Sequence, residues 1–239
     1  MTDTFTLARD FLKRNFESSP PAPDNWPAVT LTFAQSLDGK ISRPGQQLLL
    51  SGKESMAMTH RLRATHDGIL VGIGTILCDN PRLNARLLPA NERDLVEQPQ
   101  PIVLDTHLRF PLTANLLTGP KDNKNLKLPW IVAGPDCDAA KRAMLEDAGA
   151  HVIVVGELSS TGHPMLATVL GELAKRGIQR LMVEGGAQII QHFMSSGLTD
   201  YLITTTAPVL VGSSGVPAVV AETADSSFVI DPSEYATFG

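Results

Sequence analysis

The stretch that most constrains the fold runs from Arg61 to Arg86, RLRATHDGILVGIGTILCDNPRLNAR. Met58, Leu62 and Arg63 fit the end of a helix, and His66-Asp67-Gly68 leads into the apolar run Gly68-Ile69-Leu70-Val71-Gly72. Aliphatic and β-branched residues between close glycines predict a buried strand. Gly72 and Gly74 let the backbone approach a ligand where side chains would block it. Thr75 opens the next turn and Asp79-Asn80-Pro81 ends it. A hydroxyl, a carboxylate and two arginines, Arg63 and Arg86, thus cluster at one strand end, where an α/β protein binds its ligand. The same residues also fit an ordinary strand and helix joined by turns, with Asp79 only a cap.

The flanking chain supplies more strands and helices. Leu7, Phe11, Leu12 and Phe16 have the spacing of a short amphipathic helix within residues 1–18, and SSPPAP ends it as a stiff connector. Residues 1–26 are therefore expected to be an N-terminal helix and proline-rich connector, and 27–239 a single domain. Residues 28–34 read as the first strand, and the Asp38-Gly39 turn would bring Ser36, Asp38 and Lys40 to the same sheet end. Ser51 and Glu54 resemble a capping box before a helix over 53–65. Residues 87–100 and 111–128 read as loops. Strands are expected at 101–105, 130–133 and 151–155, with helices over 139–148 and 164–175. This alternation predicts a largely parallel sheet covered by helices. A strand at 200–206 follows, and a final one near 228–230 is expected to pair antiparallel at the edge.

A second informative stretch is Arg180-Leu181-Met182-Val183-Glu184-Gly185-Gly186-Ala187-Gln188. A buried strand ends in Glu184, two glycines follow, and a helix opens at Ala187. Paired glycines at a helix N-terminus expose backbone N–H groups to an anion such as a phosphate, although a tight turn alone would also use them. Glu184 is poorly placed for that anion, so it is expected to hydrogen-bond a neutral part of a ligand.

Composition narrows the classes. The 239 residues are 43% hydrophobic and 19% charged, with a net charge of −5. That balance suits a sizeable core and offers no basic face for nucleic acid or an anionic membrane. Cys78 and Cys137 form no C-x-x-C pair, which argues against a zinc site, and no apolar run is long enough to span a membrane. A cytoplasmic protein without a metal is expected.

Taken together, residues 32–41, 59–63, 67–81, 183–187 and 207–212 resemble the riboflavin-biosynthesis reductase family. The order and spacing are similar to the reductase domain of the bacterial bifunctional deaminase–reductase, and closer to the stand-alone fungal and archaeal reductases. The resemblance implies a dihydrofolate-reductase-like α/β fold: a mostly parallel mixed sheet flanked by helices, with an antiparallel C-terminal edge. It implies NADPH, a homodimer, and reduction of the ribosyl group of a diaminopyrimidinone ribosylamine 5′-phosphate to a ribityl group. By the same resemblance, Thr75 and Asp79 contact the cofactor, and Gly185, Gly186, Ala187 and Gln188 form the loop for its phosphates. Arg63, Leu83, Arg86 and Glu184 fall at substrate positions. This sequence departs from the pattern at Leu49, in the region of a bacterial tryptophan, and at Asn80, where an aspartate is usual. Asp38, Asp79 or water are the candidates for a proton source, and Lys40 is a candidate third cation of the phosphate clamp. Competing functions are a reductase of the deaminated pyrimidinedione, a dihydrofolate reductase, and a non-catalytic nucleotide-binding module. A zinc deaminase would need H-x-E and P-C-x-x-C signatures, which this chain lacks.

Overall fold

The computed structural model describes residues 3–15, 25–44 and 48–220. Its strands are β1 (Ala28–Ser36), β2 (Lys40–Ser42), β3 (Gly68–Gly72), β4 (Gln100–Leu104), β5 (Trp130–Ala133), β6 (His151–Val154), β7 (Arg180–Gly185), β8 (Tyr201–Ala207) and β9 (Val216–Pro217). Its helices are α1 (Thr4–Asn15), α2 (Lys53–Thr65), α3 (Ile73–Asp79), α4 (Ala90–Arg93), α5 (Asn115–Asp122), α6 (Ala139–Asp147), α7 (Leu166–Lys175) and α8 (Ala187–Ser196).

Seven strands form one parallel sheet in the order β6-β5-β4-β3-β7-β1-β8. The strands alternate their side chains between two apolar layers. Ile69, Val71, Val103, Ile131 and Met182 face a core shared with Leu12, Met58, Leu62, Ile76, Leu117 and Leu145 of the helices on that side. Leu70, Ile102, Val132, Leu181 and Val183 face the opposite core, closed by Leu170 and Leu173 of α7 and by Ile190 and Phe193 of α8. Burial on both faces is why these strands read as continuous apolar runs. The chain winds outward from β3 through β6, while β7, β1 and β8 continue the sheet on the other side. The change of direction at β3/β7 is where an open parallel sheet leaves a crevice beyond its carboxyl ends.

The antiparallel pairing expected near the C-terminus takes the form of a separate two-stranded ladder, β2 with β9. The strand expected at 228–230 lies outside the described residues, as does Phe16. The N-terminal helix packs on α2 with Ala8 and Leu12 fully buried, whereas Leu7 is 46% exposed. Three local expectations are corrected. The α2 N-cap is Gly52 in an extended conformation with no side-chain cap, so Ser51 stands one residue outside and no capping box forms. The segment 87–100 contains the short α4, whose Glu92 pairs with Arg61 at 2.6 Å. The segment 111–128 contains α5, whose glycine and proline hide it from pattern reading. Buried Leu116 and Leu117 hold it, and its first amide donates to Asn80 Oδ1 at 2.8 Å, a cap supplied from another element.

Candidate functional site

Two strand–helix turns meet at the carboxyl end of the sheet. One leads from β3 into α3, the other from β7 into α8. Their approach depends on two glycines. A Cβ on Gly72 would lie 2.8 Å from Ile189 Cγ1 of α8, and a Cβ on Gly186 would lie 3.2 Å from Thr75 Oγ1 of α3. Gly185 and Gly186 have φ of +107° and +32°, conformations that L side chains rarely adopt. Gly186 is the N-cap of α8 and no side chain caps that end. The first N–H groups of the ten-residue α8 therefore face outward with the positive end of the helix dipole. Ala187 is half-buried and Gln188 exposed at its start. Thr75 and Asp79 are four residues apart on α3, hence on one face, with Thr75 half-buried and Asp79 exposed. The structure thus brings Thr75 against the glycine loop, a polar cradle that a side chain at 186 would fill. This geometry suits a phosphate-bearing cofactor.

Glu184 immediately precedes that loop. Between β3 and β7 the register passes from Leu70↔Val183 to Val71↔Gly185, so Glu184 is the bulged extra residue. A bulge re-aims a side chain, and here Glu184 meets Arg63 on α2. Arg63 Nε and Nη2 donate to the two carboxylate oxygens at 2.6 Å each, and Nη1 donates to the Asn84 carbonyl at 3.1 Å. Both side chains are largely buried. The carboxylate expected to meet a neutral ligand group is therefore engaged by an arginine of the same chain. Three of the five guanidinium N–H groups are used, leaving one on each of Nη1 and Nη2 among the contacts of the described residues.

Arg86 joins this cluster from the segment after α3. Its Nη1 donates to Asn84 Oδ1 at 3.0 Å. Burial, and then the charges of Arg63 and Arg82, lower its proton affinity, while Glu184 opposes them. Two cations and one carboxylate thus act on the Arg86 cation, which leaves local positive charge on a protein that is acidic overall. Leu83 is placed differently from the other substrate candidates: its side chain is 2% exposed and lies in the core, with a left-handed φ of 48°. It contributes the bend that presents Asn84. A cavity of about 290 Å³ shares Arg82, Leu83 and Asn84 with this region, but its other walls include Gln98, Asn115 and Lys127, and no cofactor-loop residue lines it.

Asp38 is not free to serve as a proton source. Its carboxylate accepts from Ser36 Oγ at 2.6 Å and from the amides of Val211 and Gly212 at 3.0 and 2.7 Å. These bonds, with the Ser36 hydroxyl the largest cause, hold its pKa well below the usual carboxylate range. Asp38 pins the 209–212 loop to the end of β1. Lys40 lies in the β2–β9 ladder with its stem against Gly215, and the charges that bear on Arg86 do not include it. Leu49, before α2, is 86% exposed.

Sequence reasoning missed the residues that hold the arginine segment. His60 and Gln98 bond its backbone, and Asn84 within it accepts from both Arg63 and Arg86. His60 carries a faint signal, because it stands three residues before Arg63 on the same helix face. Nothing marks the two amides, which are too common to single out.

A model of the RibD C-terminal domain family matches residues 27–231. The chain is 36% identical over 215 residues to a 2,5-diamino-6-ribosylamino-4(3H)-pyrimidinone 5′-phosphate reductase of Debaryomyces hansenii, spanning 87% of this chain and 84% of that protein. It is 34% identical to the riboflavin biosynthesis protein RibD of Bacillus amyloliquefaciens over 81% of this chain, but spans only 49% of that longer protein. The solved Saccharomyces riboflavin biosynthesis reductase Rib7 superposes with a TM-score of 0.69 at 29% identity, covering 90% of this chain and 88% of that one.

Proposed function

Because the chain belongs to the RibD C-terminal domain family, we propose that it reduces the ribosyl group of 2,5-diamino-6-(5-phosphoribosylamino)pyrimidin-4(3H)-one to the ribitylamino form, with NADPH, in riboflavin biosynthesis. One observation carries this: consecutive residues Glu184, Gly185 and Gly186 join an uncapped helix N-terminus to a buried arginine–carboxylate cluster. A phosphate-bearing cofactor and a phosphate-bearing substrate thereby have adjacent places in one crevice.

NADPH would be held by Thr75, Asp79, Gly185, Gly186, Ala187 and Gln188, and supplies a hydride when bound. The ring-opened substrate is an imine; hydride adds at its first carbon and a proton at its nitrogen. The protein has to orient the substrate rather than bond to it. Arg86 and the two remaining N–H groups of Arg63 take the 5′-phosphate, for which guanidinium groups suit better than ammonium. The Arg63 fork fixes the Glu184 carboxylate, which stands between the phosphate clamp and the glycine loop. With Asp38 committed to backbone amides, the proton comes from Asp79 or solvent.

We assign residues 27–239 to one reductase domain, with 1–26 as its appended helix and connector. We also infer a homodimer. β8 is an edge strand of the described sheet, with Thr204 and Thr206 exposed along it and Leu210 75% exposed just beyond. No helix among the described residues is long and apolar enough to cross a membrane, and free Cys78 and Cys137 fit a cytoplasmic location. The deciding experiment is NADPH consumption with the diaminopyrimidinone and its deaminated counterpart side by side, and with dihydrofolate as control. Turnover of a ribosylamine phosphate and none of dihydrofolate is expected. Activity on dihydrofolate, or NADPH binding with no turnover of either pyrimidine, would overturn the assignment.

A further inference from the structure

The segment from Arg82 to Arg86 makes no backbone–backbone hydrogen bond among the described residues. Side chains from elsewhere hold it instead. Arg63 donates to the Asn84 carbonyl, Gln98 both accepts from the Ala85 amide at 2.8 Å and donates to its carbonyl at 3.0 Å, and His60 Nδ1 accepts from the Arg86 amide at 3.0 Å. These three side chains stand in for a neighbouring strand. The His60 bond is the one nearest the Arg86 guanidinium along the chain.

His60 is fully buried in α2. Because Nδ1 accepts, the proton of the neutral ring is on Nε2, and Nε2 is buried with no hydrogen-bond partner among the described residues. An apolar side chain of similar size would avoid that unpaired donor. The imidazole is thus a poor choice for packing alone, and the bond that its Nδ1 accepts comes from the residue that carries the substrate cation. Desolvation, reinforced by the charges of Arg63 and Arg86 and opposed by the Asn84 backbone, lowers its pKa to about 3, so the ring remains an acceptor throughout the neutral range.

We propose that His60 is a positioning residue for substrate recognition, in which Nδ1 fixes the Arg86 backbone and so aims the Arg86 guanidinium at the substrate phosphate. The proposal rests on the phosphate-clamp role assigned above to Arg86. It requires an acceptor at this position and not an imidazole as such. Asparagine, whose Oδ1 lies near the place of Nδ1, should therefore substitute in part, and leucine should not.

The test compares His60→Leu, His60→Asn and Arg86→Ala on the phosphorylated substrate and on its dephosphorylated form. NADPH affinity is followed by fluorescence, and amide hydrogen exchange over residues 82–88 is measured without ligands. His60→Leu should raise KM for the phosphorylated substrate about tenfold, the loss of one hydrogen bond's worth of positioning. Its kcat, its KM for the dephosphorylated substrate and its NADPH affinity should hold within about twofold. The Arg86 amide should exchange faster in the leucine variant and retain protection in the asparagine variant, which should also recover KM to within about threefold of wild type. Should the leucine variant not fold, His60→Phe serves as the acceptor-free replacement. A folded acceptor-free variant with wild-type KM and wild-type protection overturns the proposal. Equal KM increases for leucine and asparagine also overturn it, because shape and not the acceptor would then be at work. If Arg86→Ala shows no phosphate-selective loss, the clamp itself is wrong. That failure is recognised separately, because the exchange data still report whether His60 holds the amide.

Discussion

At the scale of single residues, Arg63 and Arg86 are not equivalent, although the sequence presents them as a pair. Arg86 reaches the cluster with an exposed side chain, so Arg86→Ala should remove a charged hydrogen bond to the substrate, roughly 1.5–3 kcal/mol, and raise KM by one to two decades with little change in Tm. Arg63→Ala should do more. It leaves the Glu184 carboxylate buried without its partner, a change that costs on the order of 3–5 kcal/mol of stability where a buried pair is broken from one side. Thermal unfolding beside kinetics separates the two. Equal Tm values for both variants would show that the Arg63–Glu184 pair does not hold the fold. Removing both partners, Arg63→Ala with Glu184→Ala, should return part of the lost stability and none of the activity. Gly186→Val probes the cofactor loop. A β-branched side chain at φ +32°, pressed on Thr75 Oγ1, should weaken NADPH binding about tenfold or more in a titration followed by fluorescence. An unchanged Kd in a folded variant would remove the loop from the cofactor site.

At the scale of elements, the site depends on how closely α8 sits against the β3–α3 turn. Gly72→Ala puts a methyl 2.8 Å from Ile189 Cγ1, so α8 must retreat, with an expected loss of about 1–3 kcal/mol and weaker NADPH binding. Adding Ile189→Ala should relieve the clash, and a cycle showing no coupling between 72 and 189 would contradict this packing. Sequence pattern revealed these elements where their signals were local. The strand at 68–72, the glycine pair at 185–186 and the helix opening at Ala187 were all legible, because buried parallel strands and glycine turns write themselves into neighbouring residues. Helix α5 was not, since its amide cap comes from Asn80, some 35 positions earlier, and its Gly119 and Pro120 argue locally against a helix. The α2 cap was misplaced by one residue because extended Gly52 precedes the helix as readily as Ser51. The Arg63–Glu184 pair was illegible for a related reason. Both residues were named, but only the bulge at Glu184 turns one toward the other, and a bulge in a parallel ladder leaves no mark on composition.

At the scale of the whole molecule, two buried imidazoles give stability a definite pH dependence. His66 donates from Nδ1 to the Leu62 carbonyl and meets Thr30 Oγ1 through Nε2, and burial lowers its pKa to about 4, beside about 3 for His60. Above pH 6.5 both rings are neutral whether the chain is folded or not. Below it the unfolded chain takes up protons that the folded chain refuses, so stability should fall as the pH drops from about 6.5 toward 4. Asp38, with its lowered pKa, adds a loss in the same direction at still lower pH, whereas the raised pKa of buried Asp105 opposes it. Scanning Tm from pH 7 to 4.5 checks this, and His60→Leu should flatten the slope; an unaltered slope would mean that His60 takes its proton without difficulty in the folded state. The strand order has a different consequence, for how the protein comes into being. Of the seven sheet strands β1 is made first, yet both of its neighbours in the sheet, β7 and β8, are made about 140 residues or more later. At ordinary rates of synthesis that is a wait of roughly ten to thirty seconds. During it, β3 through β6 can assemble with one another, while the apolar Val29-Thr30-Leu31 stretch has no native strand beside it. The sheet therefore closes only once β7 and β8 are made, and a nascent chain stalled before β7 would carry β1 as an exposed sticky strand.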